Sequence, residues 1–170
     1  MKMNIQPKSN FRWLSPLGIC AALLIVQGAL YLLIGVAGPI AMDAPVGSKL
    51  LIMSNRTDTV VFGDTPENLR QSNPQLIKFR SITYTMFSGM LTAAGILIIS
   101  LVWFGLRRGS KWALGALALA SAALLPYWWL ILRFYWQAGA SPTLGDLPPF
   151  MWIPAVLLLP VVILGWIGLR

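Results

Sequence analysis

Four long apolar runs partition this chain: roughly Leu14 to Gly38, Ile82 to Leu106, Trp112 to Leu132 and Phe150 to Leu169. A helix rising ~1.5 Å per residue needs about 20 residues to cross ~30 Å of hydrocarbon, and each run meets that length. The expected fold is an all-α integral membrane protein, with four transmembrane helices in one compact bundle. Its 57% hydrophobic and 11% charged residues lie well outside the averages for soluble domains. In 170 residues the four spans leave room for one modest loop and no separate soluble domain. The organisation read from the runs is a tail at 1–13, spans at 14–38, 82–106, 112–132 and 150–169, loops at 39–81 and 133–149, and a tight turn at 107–111.

The net charge of +8 is topological rather than a sign of nucleic acid. Lys2, Lys8 and Arg12 precede the first run, Arg107, Arg108 and Lys111 fill the turn between the second and third, and Arg170 ends the chain. No acid accompanies them. The other two loops hold Asp43, Asp58, Asp64, Glu67 and Asp146, nearly balanced by Lys49, Arg56, Arg70, Lys78, Arg80 and Arg133. By the positive-inside rule both termini and the short turn face the cytoplasm, and the loops at 39–81 and 133–149 face outward. Lys78, Arg80 and Arg133, close to the outer ends of spans, run against that rule. A bacterial inner or plasma membrane is the expected setting.

Tryptophans mark the span ends, where amphipathic indoles favour the headgroup level. Trp13, Trp103, Trp112 and Trp166 form one belt; Trp128, Trp129, Trp136 and Trp152 form the other. The first run follows a basic start, as a secretory signal does, but at about 25 residues it exceeds a signal's apolar core of 7–15 and is expected to remain. Gly38 and Pro39 are expected to end that helix. Cys20, the single cysteine, lies inside the first run and is expected to act as a small buried hydrophobe.

The outer loop, about 40 residues long, has room for structure of its own. Lys49 to Met53 and Thr59 to Phe62 are short apolar stretches, the second rich in β-branched residues, and are expected as a hairpin or extended segments. Asp64 or Thr65, followed by Pro66 and Glu67, predicts a short capped helix. Asn73-Pro74 predicts a fresh start, with helix running from Gln75 into the second span. Asn55-Arg56-Thr57 has the form of a glycosylation acceptor, which matters only where the transferase is present.

In lipid, helices meet through small and hydroxyl residues. Ala21, Gly28 and Gly35 recur every seven residues on the first span, and Ser81, Thr85, Ser88, Thr92 and Gly95 form one face of the second. Gly115, Ala116, Ala120 and Ala123 offer a seam on the third. These three spans are expected to pack tightly. The fourth, with Pro154 and Pro160 and no such stripe, is expected to be bent or peripheral. Gln27, an amide in mid-span with Tyr31 one turn on, needs partners. With Thr85, Ser88 and Thr92 it defines either a helix contact or a polar groove for a ligand. Arg133, set among Trp128, Trp129 and Trp136, is placed to meet a lipid headgroup or a partner.

Without histidine, imidazole ligation of haem or metal and histidine acid–base catalysis are excluded. No ionisable residue occupies the interior of any run, which argues against ion-coupled pumping. No catalytic, cofactor or metal site is expected. The expected function is a non-catalytic accessory or scaffold subunit of a larger membrane complex, with other membrane subunits and lipids as partners. The alternative is a small carrier for an apolar or lipid-like molecule, using the groove between the first two spans.

Overall fold

The computed structural model describes residues 11–43 and 51–170. The described residues are all-helical, with no strand, and four of their helices are long and apolar enough to cross a membrane. Lys2 and Lys8 of the tail and Lys49-Leu50 of the loop lie outside the described residues.

Helix α1 spans Pro16–Asp43 and continues through Pro39, which was expected to stop it. A proline removes one helical N–H and crowds the carbonyl four residues back. The helix is held through this point by its neighbour, since Gly35 and Gly38, lacking side chains, let α1 press against Ser88 and Thr92. Packing of this kind tolerates a proline within an apolar helix.

The expected extended segment at Thr59–Phe62 is instead helix α2, Asn55–Phe62. Local chemistry overrides β propensity there. Ser54 Oγ accepts from Thr57 N, and Gly63 closes the helix in the left-handed region at φ 76. Leu51 to Met53 form a bend rather than a strand. Helix α3, Pro66–Ser72, starts as anticipated, with Thr65 accepting from Asn68 N and Pro66 in the first turn. Asn73 Oδ1 then accepts from Gln75 N and Leu76 N to begin α4, Pro74–Phe104. At 31 residues α4 is about 46 Å long, well beyond a hydrocarbon core.

A single 3₁₀ turn at Leu106–Arg108, ended by Gly109 at φ 77, leads into α5, Lys111–Gln137. A second such turn, Leu144–Asp146, precedes α6, Pro149–Gly168. Helix α1 packs along both α4 and α6, and α5 packs along α6, whereas α4 and α5 touch little. The core at the end bearing the termini draws on all four: Leu17, Cys20, Ala21 and Leu24, Val102 and Leu106, Ala113, Leu114 and Leu117, and Val161. A smaller core of Met53, Tyr135, Ala140 and Met151 lies at the opposite, loop end.

Two packing expectations are corrected. Helix α6 is integral rather than peripheral, burying Met151, Pro154, Val161 and Gly165 along one face. The α5 face expected at Gly115, Ala116, Ala120 and Ala123 is displaced onto Ala113, Leu114, Leu117 and Ser121. One fact explains both: close approach needs a small residue on only one partner. Leu114 fills the notch left by Gly165, and Gly168 admits Leu17. The stripe on α1 and α4 does pack, with Gly28 set against Gly95.

At the terminal end the Arg107 guanidinium lies 3.9 Å from the Trp103 ring centroid, 5.0 Å from that of Phe11 and 5.2 Å from that of Trp13. Cation–π attraction, about 0.5–1 kcal/mol per exposed pair, ties the start of the chain to this turn.

Candidate functional site

The structure brings Gln27, Tyr31, Ser88 and Thr92 into the packed region where α1 meets α4 and α6. Gln27, Tyr31 and Ser88 are buried. Gln27 is a hydrogen-bonding partner of Tyr31 one turn on, and the Tyr31 hydroxyl donates to Phe150 O at 3.4 Å. The Thr92 hydroxyl donates to Ser88 O at 2.9 Å, within its own helix. Thr85, donating to Ser81 O at 2.8 Å, is exposed and stands apart from this group. Arg133 is exposed, 6.0 Å from the Trp129 ring centroid, and Trp129 and Trp136 are exposed beside it. Trp128 belongs elsewhere.

It lines a cleft of about 400 Å³ between α4 and α5 at the loop end. The two helices contact each other little, and the cleft lies between them. Helix α4 supplies Leu76, Phe79, Arg80, Thr83, Tyr84 and Phe87; α5 supplies Trp128 and Ile131; the start of α6 supplies Pro148, Phe150 and Met151. Leu51, Ile52 and Phe62 complete the lining from the 51–62 segment, which forms a lid. Phe150 joins both walls, its ring centroid 5.1 Å from Phe87 and 5.8 Å from Trp128. The lining is apolar apart from a few groups. Arg80, only 8% exposed, is its one charged residue, with its guanidinium 5.8 Å from the Tyr84 ring centroid. The Trp128 indole Nε1 is buried without a hydrogen-bond partner.

The lid is fastened by two carboxylates. Asp58 is fully buried. Its Oδ2 accepts from Leu51 N and Ile52 N, both at 2.9 Å, and its Oδ1 accepts from Met53 N at 3.2 Å and from the Tyr135 hydroxyl at 2.7 Å. Three successive amides thus converge on one carboxyl group, which sets the bend at 51–53. Tyr84 adds a tie from α4, donating to Leu51 O at 2.8 Å.

Asp146 makes the second fastening. It accepts from Ser54 Oγ at 2.7 Å, from Thr143 N at 2.8 Å and from Thr143 Oγ1 at 2.7 Å, and it pairs with Arg56. The Arg56 hydrogen bond, then those from Thr143 and Ser54, hold its carboxyl well below the usual carboxylate range, and the same pairing raises Arg56. Among the described residues no three histidine, cysteine or carboxylate side chains gather closely enough to hold a metal ion.

Sequence reasoning had Asp58 and Asp146 only as loop acids and missed Tyr135. Arg80 did leave a signal: it opposed the charge asymmetry. A cation on the acid-balanced side is less anomalous as a buried wall of a cleft than as a solvated loop charge.

Together these features define a four-helix bundle with a lidded apolar cleft at the end opposite its termini. Comparisons with protein-family models, with curated proteins and with solved structures give no match.

Proposed function

We propose that this is a multi-pass membrane protein, with both termini cytoplasmic, that binds a lipid-like amphiphile in the cleft between α4 and α5. This keeps the carrier alternative and moves its site away from the α1–α4 seam. The observation that carries it is the apolar lining of a cleft of about 400 Å³. Water does not fill apolar cavities well. A cleft this apolar, open on one side, suits a hydrocarbon chain better than water. A carbonyl on the same ligand would also give the Trp128 Nε1 an acceptor.

The test is lipid extraction from protein purified in mild detergent, with Ile131→Trp as the variant that fills the cleft. Wild-type protein is expected to retain a stoichiometric amphiphile, and Ile131→Trp to lose it while staying folded. Equal retention by both would defeat the proposal.

The accessory-subunit reading keeps one specific support: α5 is covered along one side, by α6, and turns Leu119, Tyr127, Trp129, Leu130 and Phe134 outward. Native sizing in mild detergent tests it, since a monodisperse protein with no companion would eliminate a stable partner. In either reading the protein works by binding.

A further inference from the structure

We propose that the end of the bundle bearing the termini is a binding surface for anionic phospholipid, centred on Arg107; this rests on the reading of the chain as membrane-spanning and is independent of the cleft. Arg107, Arg108 and Lys111 of the turn share this end with Arg12, ahead of α1, and Arg170, after α6. Arg12, Arg108, Lys111 and Arg170 are exposed, and Arg107 is half-buried. The acids of the chain, Asp43, Asp58, Asp64, Glu67 and Asp146, all belong to the segments at the opposite end. Among the described residues no carboxylate is therefore at hand to neutralise these cations. Four to eight bases gathered beside the end of a span are the ordinary footprint of contact with anionic lipid.

The rings around these bases set the depth of the anion. Trp13, Trp103, Trp112 and Trp166 are all exposed here, and exposed indoles on spans settle among headgroups. Three guanidiniums lie by rings at the span ends: Arg107 at 3.9 Å from the Trp103 centroid, Arg108 at 5.9 Å from that of Phe104 and Arg170 at 5.8 Å from that of Trp166. The cations thus share the level of the indoles, where the anion at hand is a lipid phosphate. An acidic soluble partner would approach from beyond them. Arg107 is held most firmly, since Phe11 and Trp13 also stand 5.0 Å and 5.2 Å from it. Rings occupy the faces of a guanidinium and leave its edge N–H groups to donate. Among the described residues those groups meet no acceptor, and Nε is buried without one. A phosphate takes two such donors in parallel, and stacking fixes their direction before the lipid arrives.

The experiment places the full chain in phosphatidylcholine vesicles carrying a trace of spin-labelled phosphatidylglycerol or spin-labelled phosphatidylcholine, and reads the motionally restricted fraction of each label. Phosphatidylglycerol is expected to associate about fivefold more strongly. Joint Arg107→Gln and Arg108→Gln substitution should bring that ratio close to one, whereas Arg133→Gln, at the opposite end, should leave it unchanged. Trp103→Leu removes no charge and should still lower the ratio, because Arg107 loses the ring that holds it. Exchanging chloride for inorganic phosphate at equal ionic strength should have no effect. A wild-type ratio near one, a ratio that survives the joint substitution, or one abolished by Arg133→Gln or by inorganic phosphate would overturn the proposal and leave the membrane reading standing. An unaltered ratio in Trp103→Leu would remove Arg107 as the centre. Should the joint variant fail to fold, the wild-type ratio and Arg133→Gln still decide. Absence of a restricted fraction for both lipids would overturn the membrane reading, and the proposal with it.

Discussion

The Tyr135 hydroxyl donates to Asp58 Oδ1 at 2.7 Å, and both residues are buried. This bond joins the last turn of α5 to the lid, so the lid is anchored to the wall it closes. Asp58 already accepts from three lid amides, and Tyr135 supplies the fourth donor.

Asp58→Ala is therefore expected to destabilise the loop end by about 3–5 kcal/mol, since three lid amides, two of them buried, and the Tyr135 hydroxyl lose their acceptor together. Tyr135→Phe should cost about 1.5–3 kcal/mol. The double variant should fall short of the sum, because both changes remove the same bond. Chemical unfolding in detergent measures all three, and strict additivity would show that the bond contributes nothing.

The seam between α1 and α4 predicts an asymmetry between glycines. A Cβ on Gly95 would lie 2.7 Å from Gly28 O, whereas one on Gly115 meets nothing within 4 Å. Gly95→Val should lose about 1–3 kcal/mol or more through overpacking. Gly115→Ala should gain about 0.5–1 kcal/mol from helix propensity. Thermal unfolding of the two variants checks the ordering, and the reverse order would refute the seam.

Asp146 gives a pH dependence with a defined sign. Its folded carboxyl titrates below the ordinary value, with Arg56 the largest cause. Its contribution is present above the unfolded value near pH 4 and is lost as pH falls through the lower folded value. Asp146→Asn should thus be less stable than wild type at neutral pH, with the gap narrowing as pH drops below about 4. Because the Arg56 side chain is 58% exposed, added salt should shrink the same gap at neutral pH. Melting temperatures from pH 7 to pH 3 test this, and a constant gap would contradict it.

Orientation is tested by single cysteines in a Cys20→Ala background. Ser141→Cys, in the loop before α6, should react with an impermeant maleimide on intact cells. Ser110→Cys, in the turn before α5, should react only after permeabilisation. The opposite pattern would invert the proposed topology.

What could be read from sequence was local. Thr65-Pro66 and Asn73-Pro74 announced their helices because a cap involves neighbours within three or four residues. Ser54 capped a helix just as locally, yet the β-branched run after it drew the opposite expectation. The four long helices were legible because their runs have the length and apolarity that a hydrocarbon crossing would demand. The place of α6 was not, since it depends on Leu114 meeting Gly165 across the bundle. Nor was the cleft, whose walls come from α4, α5, the start of α6 and the 51–62 segment, far apart in the chain. Of the expected groove residues, Thr85 alone is exposed, a matter of helix rotation that a stripe of hydroxyls leaves open.

The unequal lengths of α4 and α6, 31 and 20 residues, bear on how the protein meets different bilayers. With Phe87 level with the start of α6, the stretch of α4 from Pro74 to Phe87 carries on for about 20 Å past it. A bilayer matched to α6 would hold Arg80 at the depth of lipid phosphates. A thicker one would draw the lid down among acyl chains, and a thinner one would strand Phe79 in water. Hydrophobic mismatch costs fractions of a kcal/mol per Å. Over several ångströms that would become enough to shift where a membrane-embedded form resides, so local thickness would act on this site as an address as much as an environment.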